Sequence, residues 1–253
     1  AVTDETFVGI FGYEMTWQNG LGHISTFFTP GFQSRNQDAY INYNTALQNY
    51  YQTLAGVPGS VSQFNHPGTF YGDFEDFGHY SPEADAAMQL LEVVCEGEAN
   101  YDAYTRALDK GWHVAPTNNQ NNHNGLWGAA DSGRTVVYAE ALTEEAFAAA
   151  LRNRRVYATE DADLEIRYNL DGYLLGTMLH RRDVGETVTL TAWISDPTDG
   201  AVGTVEVIVE GGQVAASAQI SGEVVFELTA SHRYYYLRIT QPDGDIAVTA
   251  PVW

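Results

Sequence analysis

Hydrophobic and polar positions follow two different patterns along the chain, and the change falls near residue 160. In the first part, short apolar runs alternate with segments whose apolar positions recur every three or four residues. This alternation is typical of successive βα units. From about Asp163 the apolar positions recur every second residue, between turns rich in glycine and aspartate, which predicts an antiparallel β-sandwich. We therefore predict an α/β domain over residues 1–160 and an immunoglobulin-like sandwich over residues 161–253.

The apolar runs of the first part predict strands, and the periodic segments between them predict helices. Strands are expected over residues 7–11, 61–65, 89–94, 112–115 and 134–138. Helices are expected after a cap at Ser34 or Asn36, from Pro82, over residues 101–110, and after a cap at Thr143. The last helix has Glu144 and Glu145 in its first turn and arginines in its last turn, which matches the helix dipole.

Residues 112–128 form the most unusual segment, because they place two histidines and five asparagines between a hydrophobic strand and a tryptophan. Asparagine, glycine and proline favour turns over helix. A strand that leads into a long polar loop is the arrangement in which α/β barrels keep their catalytic groups. The segment is therefore predicted to contribute to a functional site.

Composition limits the classes of partner. The chain has 253 residues, of which 33 are acidic and 12 are basic, giving a net charge of −21. Nucleic acid and acidic membrane surfaces are excluded as expected partners, because both require a positive face. No apolar stretch of about 18 residues is present to insert into a bilayer. The single cysteine, Cys95, lies in an apolar run and is expected to be a buried hydrophobic residue.

Three polar residues follow apolar strands and have the chemistry of metal ligands. Glu14 lies among aromatic residues, His23 follows in a Gly-His pair, and His66 directly follows the second predicted strand. Two histidines and a carboxylate at strand ends indicate a metal held by nitrogen and oxygen. An exposed loop carboxylate is the alternative for Glu14, and a capping histidine is the alternative for His66. The acidic residues at positions 92, 96 and 98 are expected to form a solvated face.

The order of several motifs resembles the polymerase and histidinol phosphatase (PHP) family of metal-dependent phosphoesterases. The motifs are listed here in chain order: Gly12-Tyr13-Glu14-Met15-Thr16, Gly22-His23, Asn65-His66-Pro67-Gly68, Ala107-Leu108-Asp109-Lys110-Gly111-Trp112 with His113-Val114-Ala115-Pro116, and Asn121-Asn122-His123. The resemblance covers nearly the whole chain and is closest to the bacterial branch with a C-terminal sandwich. It implies a distorted (β/α)7 barrel that binds divalent cations, with a metal-activated water attacking a phosphate ester.

By the same resemblance, Glu14 bridges two metals, His23 and His66 complete one of the metal sites, and Asn121 and His123 occupy a late Asp-x-His motif. Glu14 and His123 are the implied catalytic residues. Two features depart from the family: no histidine precedes His23, so the first His-x-His strand is missing, and Asn121 replaces an aspartate. A neutral asparagine is a poor ligand for such cations. The expected metal content is therefore one zinc, manganese or iron ion.

About five strands are predicted before the sandwich, whereas a barrel of this type closes with seven. We therefore expect an incomplete barrel, completed by a missing N-terminal segment or by another chain. Two functions remain open: a metal-dependent hydrolase acting on a small phosphoester, and a catalytically inactive barrel that serves as a binding module at the cell surface. The acidity, the scarcity of lysine and the sandwich resemble a secreted or surface-displayed bacterial protein.

Overall fold

The computed structural model describes residues 3–17, 20–180, 183–198, 200, 203–220 and 222–253. The strands are β1 (Gly12–Thr16), β2 (His23–Phe27), β3 (Val61–Asn65), β4 (Met88–Cys95), β5 (Glu98–Ala99), β6 (Ala115–Asn119), β7 (Arg134–Val137), β8 (Val156–Thr159), β9 (Glu165–Leu170), β10 (Tyr173–Leu174), β11 (Thr187–Ser195), β12 (Thr204–Val209), β13 (Gln213–Gln219), β14 (Glu223–Thr229), β15 (Tyr236–Thr240) and β16 (Ile246–Thr249). The helices are α1 (Tyr43–Ala55), α2 (Phe74–Phe77), α3 (Pro82–Ala87), α4 (Tyr101–Asp109) and α5 (Glu144–Arg152).

The chain forms two compact units, and each is built from separate segments. The first unit comprises Ala1–Val94, Ala99–Val114 and Val137–Asn153. The second comprises Cys95–Glu98, Ala115–Val136 and Arg154–Trp253. The asparagine-rich segment therefore belongs, from Ala115 onward, to the same unit as the C-terminal strands.

The sheet of the first unit begins with an antiparallel meander. Strand β1 pairs with β2, and β2 pairs with β3, both antiparallel, whereas β3 and β4 pair in parallel. Side chains alternate between the two faces of a strand. One face carries Met15, Ile24 and Phe64, which are all buried. Phe64 packs against further aromatic rings, including that of Trp112, whose centroid lies 5.2 Å away.

The predicted (β/α)7 barrel is wrong. Strand makes up 37% of the structure and helix 19%, and the five helices of the described residues are too few to alternate with the strands of such a barrel. The strands are arranged in three sheets, and β1, β2 and β3 are antiparallel neighbours, although α1 lies between β2 and β3 in the chain. The sequence pattern failed here because it does not show strand direction: α1 joins two antiparallel strands, β2 and β3, and not the parallel strands of a βα unit.

The second unit contains two sheets, in which β9 to β16 and β8 pair antiparallel with their neighbours in that set. One has the order β10-β9-β11-β14, and the other has the order β13-β12-β15-β16-β8-β7. The predicted alternation is present on β11, where Val188, Leu190, Ala192 and Ile194 are all buried. The hydroxyl of Tyr168 on β9 donates to a main-chain carbonyl just before β15, 2.7 Å away, which links the two sheets through a buried contact.

Local signals predicted several elements well. Strands β3, β4 and β7 and helices α3 and α4 lie within two residues of their predicted bounds, whereas α5 begins after the predicted cap but ends at Arg152, before two of the arginines predicted for its last turn. The strand predicted over residues 7–11 is wrong, since the first strand begins at Gly12. The strand predicted over residues 112–115 instead begins at Ala115. Helix α1 is capped by Asn42 and not by Ser34 or Asn36.

Candidate metal centre

The meander positions the three predicted metal ligands on one face of the sheet. Glu14 of β1 lies opposite Ser25 of β2, and His23 of β2 lies opposite Asn65 of β3. His66 follows β3 directly, with a positive φ of 29°. The apolar residues of the same strands face the core, so alternation leaves this face polar. Glu14 itself lies on β1, and not in a loop after the first strand as the sequence predicted.

The ligand atoms of Glu14, His23 and His66 all lie within 4.8 Å of one another. Glu14 Oε1 is 3.5 Å from His23 Nδ1 and 3.6 Å from His66 Nε2. Both separations exceed an ordinary hydrogen bond. Two ligands bound to one zinc ion at about 2.1 Å in tetrahedral geometry are about 3.4 Å apart. The separations from Glu14 Oε1 to the two imidazole nitrogens therefore match the spacing of ligands around one such metal.

Glu14 is held in the ionised form. Burial acts to raise the pKa of its carboxyl group, but the polar contacts from His23, His66 and Asn65 outweigh burial and hold that pKa well below its ordinary value. The Asn65 amide donates to Glu14 Oε1 over 2.8 Å. The side chain of Glu14 is 37% exposed, against 7% for His66, so the cluster is open to solvent on the carboxylate side.

The two imidazole rings are packed rather than anchored by hydrogen bonds. Their centroids lie 4.9 Å apart, and the ring of Tyr71 lies 4.9 Å from His23 and 4.2 Å from His66. His66 Nδ1 is buried and has no hydrogen-bond partner among the described residues. The main-chain N–H of His66 donates to the buried carboxylate of Glu92, so Glu92 supports the site and is not part of a solvated face.

Gly72 allows the Tyr71 loop to approach the loop before β2. It has a φ of 110°, and a Cβ at this position would lie 1.9 Å from the carbonyl oxygen of Gly20. Gly72 also forms bridges with Leu21 and Gly68. A side chain is therefore excluded here both by conformation and by space.

Asn121 and His123 belong to the other compact unit. They contact each other, with His123 Nε2 3.2 Å from Asn121 Oδ1, and the Asn121 amide donates to Glu96 over 2.9 Å. Two other asparagines of this segment, Asn118 and Asn122, stabilise its conformation. Asn118 donates to the carbonyl of Thr159, and Asn122 Oδ1 accepts from two main-chain N–H groups in the following turn.

Comparison with known proteins does not place the chain in a family. No protein-family model and no curated protein matches it. Within the described residues, no helix is long and apolar enough to cross a membrane. The geometry of the residues is therefore the basis for the functional proposal.

Two supporting residues of the site were not identified from the sequence. Tyr71 packs on both histidines, and Asn65 links Glu14 to Ser25 and to the side chain of Gln63. Asn65 was visible as part of the motif before His66, but its partner on β1 follows only from strand pairing. Nothing in the local sequence around Tyr71 distinguishes it from the other tyrosines of the chain.

Proposed function

We propose that Glu14, His23 and His66 bind one divalent transition metal and that the protein uses it to hydrolyse a small phosphoester. The observation that carries the proposal is the convergence of one carboxylate oxygen and two imidazoles at metal-ligand spacing. A mixed nitrogen and oxygen set suits zinc, manganese or iron better than calcium or magnesium. The ionised state of Glu14 supports cation binding because a carboxylate must be deprotonated to act as a ligand.

A divalent metal with three protein ligands supplies Lewis acidity toward a phosphoryl oxygen and activates water. The residues of this chain would then have distinct roles in metal binding. Glu14 and the two histidines hold the cation, Asn65 orients Glu14, and Tyr71 restricts the imidazole rings. The order of motifs that resembles the PHP family supports a phosphoester as the substrate. His123 remains a predicted catalytic residue, and its contribution is measured separately with a His123→Ala variant.

The first experiment measures metal content and hydrolysis together. Purified protein is stripped with a chelator, reloaded with Zn²⁺ or Mn²⁺, and assayed by elemental analysis and with an aryl phosphate. We expect one metal per chain, and we expect His66→Ala to lose both the metal and the activity. The control is His180→Ala, which removes an exposed histidine outside the cluster. Equal metal content in the two variants would contradict the proposed site.

The alternative function, a binding module without catalysis, predicts a different result from the same samples. In that case wild-type protein binds one metal through Glu14, His23 and His66 but hydrolyses no aryl phosphate with any of the metals. Several large apolar side chains are exposed, among them Phe70 at 84% and Trp127 at 80%, and these favour contact with a partner. Metal binding without turnover would therefore support the binding module.

A further inference from the structure

The face of the sheet that carries the candidate metal centre extends to the end of β1. Glu14 and Thr16 are two residues apart on this strand, so their side chains point to the same face. Thr16 is paired directly with His23 of β2. The Cβ atoms of two side chains paired in this way lie about 5 Å apart. A group that binds the side chain of Thr16 on this face is therefore a neighbour of His23.

Arg35 is the residue that binds Thr16. Its Nη1 atom donates to Thr16 Oγ1 over 3.0 Å and to the main-chain carbonyl of Thr16 over 3.2 Å. Arg35 lies between β2 and α1, and its side chain is half-buried. A guanidinium group has five N–H donors in a planar fork, and both of these contacts use Nη1. Nε and Nη2 make no hydrogen bond to the described residues and are available to another acceptor.

The charge of Arg35 is not neutralised by a carboxylate. The chain has 33 acidic and 12 basic residues, so potential partners are abundant. Arg106 and Arg238, for comparison, each form an ion pair with a carboxylate, at 2.9 and 2.8 Å. Within the described part of the chain, Arg35 forms no such ion pair and is held by the neutral oxygens of Thr16. A fixed guanidinium with free donors therefore lies beside the candidate metal centre.

We propose that Arg35 binds the phosphoryl group of the substrate at the metal centre, an inference that rests on the proposed phosphoester hydrolysis. The fork of a guanidinium matches the oxygens of a phosphate, so two parallel N–H···O bonds can form. A net charge of −21 disfavours the approach of an anion unless the site supplies local positive charge. Arg35 supplies such a charge next to the metal ligands.

A purely structural role for Arg35 predicts different behaviour. In that case its two hydrogen bonds only fasten the segment before α1 to the end of β1. Removal of the guanidinium would then lower the unfolding temperature and leave the affinity for phosphate unchanged. A substrate-binding role predicts that the affinity for phosphate falls while the metal content is kept, because Arg35 is not one of the metal ligands.

The test measures zinc content by elemental analysis and the binding of inorganic phosphate by calorimetry, on the whole chain with and without Zn²⁺. We expect Arg35→Gln to keep the wild-type zinc content and to bind phosphate at least about 10-fold more weakly, because charge-assisted hydrogen bonds are lost. Arg35→Lys keeps the charge but not the fork, so an intermediate affinity is expected. The matched control is Arg152→Gln, which removes the same charge near the other end of β3, where Arg152 donates to the carbonyl of Gly59. This control is expected to keep the wild-type affinity for phosphate.

The outcomes separate this proposal from the proposed metal site. Equal phosphate affinity in Arg35→Gln and wild type, or no phosphate binding by wild type in either state, would contradict the role of Arg35. Thermal unfolding of the same samples shows whether the substitution acts on stability alone. If wild-type protein binds no Zn²⁺, the metal site is wrong, and the comparison without zinc still decides whether Arg35 binds phosphate.

Discussion

Tyr71 has a defined part in the candidate metal centre because its ring packs on both histidines. His66 Nδ1 has no hydrogen-bond partner among the described residues, so packing is the main restraint on the imidazole. Supporting residues of this kind usually change metal affinity by about 10-fold or more when they are removed. The phenol hydroxyl is not needed for this contact, whereas the ring is.

We expect Tyr71→Ala to weaken Zn²⁺ binding about 10-fold, because the His66 ring would sample more orientations. Tyr71→Phe keeps the ring and is expected to keep wild-type affinity. Competition with a chromogenic chelator measures both dissociation constants. A loss of affinity in Tyr71→Phe equal to that in Tyr71→Ala would show that the hydroxyl, and not the ring, supports the site.

At the residue scale, the sequence identified the three residues of the candidate metal centre but not the residues that surround them. Glu14, His23 and His66 could be selected because carboxylate and imidazole chemistry is visible in the sequence. Asn65 and Tyr71 could not be assigned, because their roles depend on β2 pairing with both β1 and β3.

At the scale of elements, the loop that carries Tyr71 depends on a glycine. A Cβ at Gly72 would collide with the Gly20 carbonyl, which is main chain and cannot rotate away. The loop and the start of β2 would have to separate. His23 and His66 lie on the two sides of this contact, so the distance between them depends on it.

Gly72→Ala is expected to destabilise the fold by about 3 kcal/mol, through a positive φ and a main-chain clash together, and to weaken metal binding. Gly97→Ala is the matched control, because Gly97 has a φ of 78° but nothing within 4 Å of the added Cβ. The Gly97→Ala control is expected to lower the free energy of unfolding by only about 1 kcal/mol, from backbone strain alone. Urea denaturation of the stripped proteins measures both values. An equal loss of unfolding free energy in the two variants would indicate that movement of the loop relieves the clash at position 72.

Elements with strong local signals were predictable, and elements defined by pairing were not. Helix α5 has an N-cap at Thr143, acidic residues in its first turn and Arg152 in its last turn, and its start was predicted correctly, whereas Arg154 and Arg155 lie beyond its end. Strands β1 and β2 carry few apolar residues and were not predicted. Their existence depends on the hydrogen bonds that each makes with its neighbour, which a local window of sequence does not contain.

At the scale of the whole molecule, the chain combines many buried tyrosines with a net charge of −21. Burial raises the pKa of Tyr157 to about 12 and raises the pKa values of Tyr50, Tyr51 and Tyr168 as well. The unfolded chain releases these protons near pH 10. At a pH between about 10 and the raised pKa values of the buried tyrosines, the unfolded state binds fewer protons than the folded state. The free energy of unfolding therefore falls as the pH rises through this range.

We expect the free energy of unfolding to be independent of these tyrosines below about pH 10 and to fall above it by about 1.4 kcal/mol per pH unit for each buried tyrosine. Urea denaturation from pH 8 to about pH 12, together with tyrosinate absorbance, measures the effect. The buried tyrosines are expected to ionise only as the protein unfolds. Their ionisation in a folded sample at pH 10 would contradict the burial described for them.

Each of the two units is built from separate segments of the chain. This arrangement limits which fragments of the gene can encode a folded unit. A fragment that starts at Arg154 contains most of the second unit but lacks β6 and β7. Strand β8 would then lose its neighbour β7, and the carbonyl of Thr159 would lose the amide of Asn118. An unprotected strand edge promotes association between chains. Expression of the C-terminal region alone is therefore expected to yield aggregates, whereas joining residues 115–137, which include all of β6 and β7, to its N-terminus is expected to restore a soluble monomer.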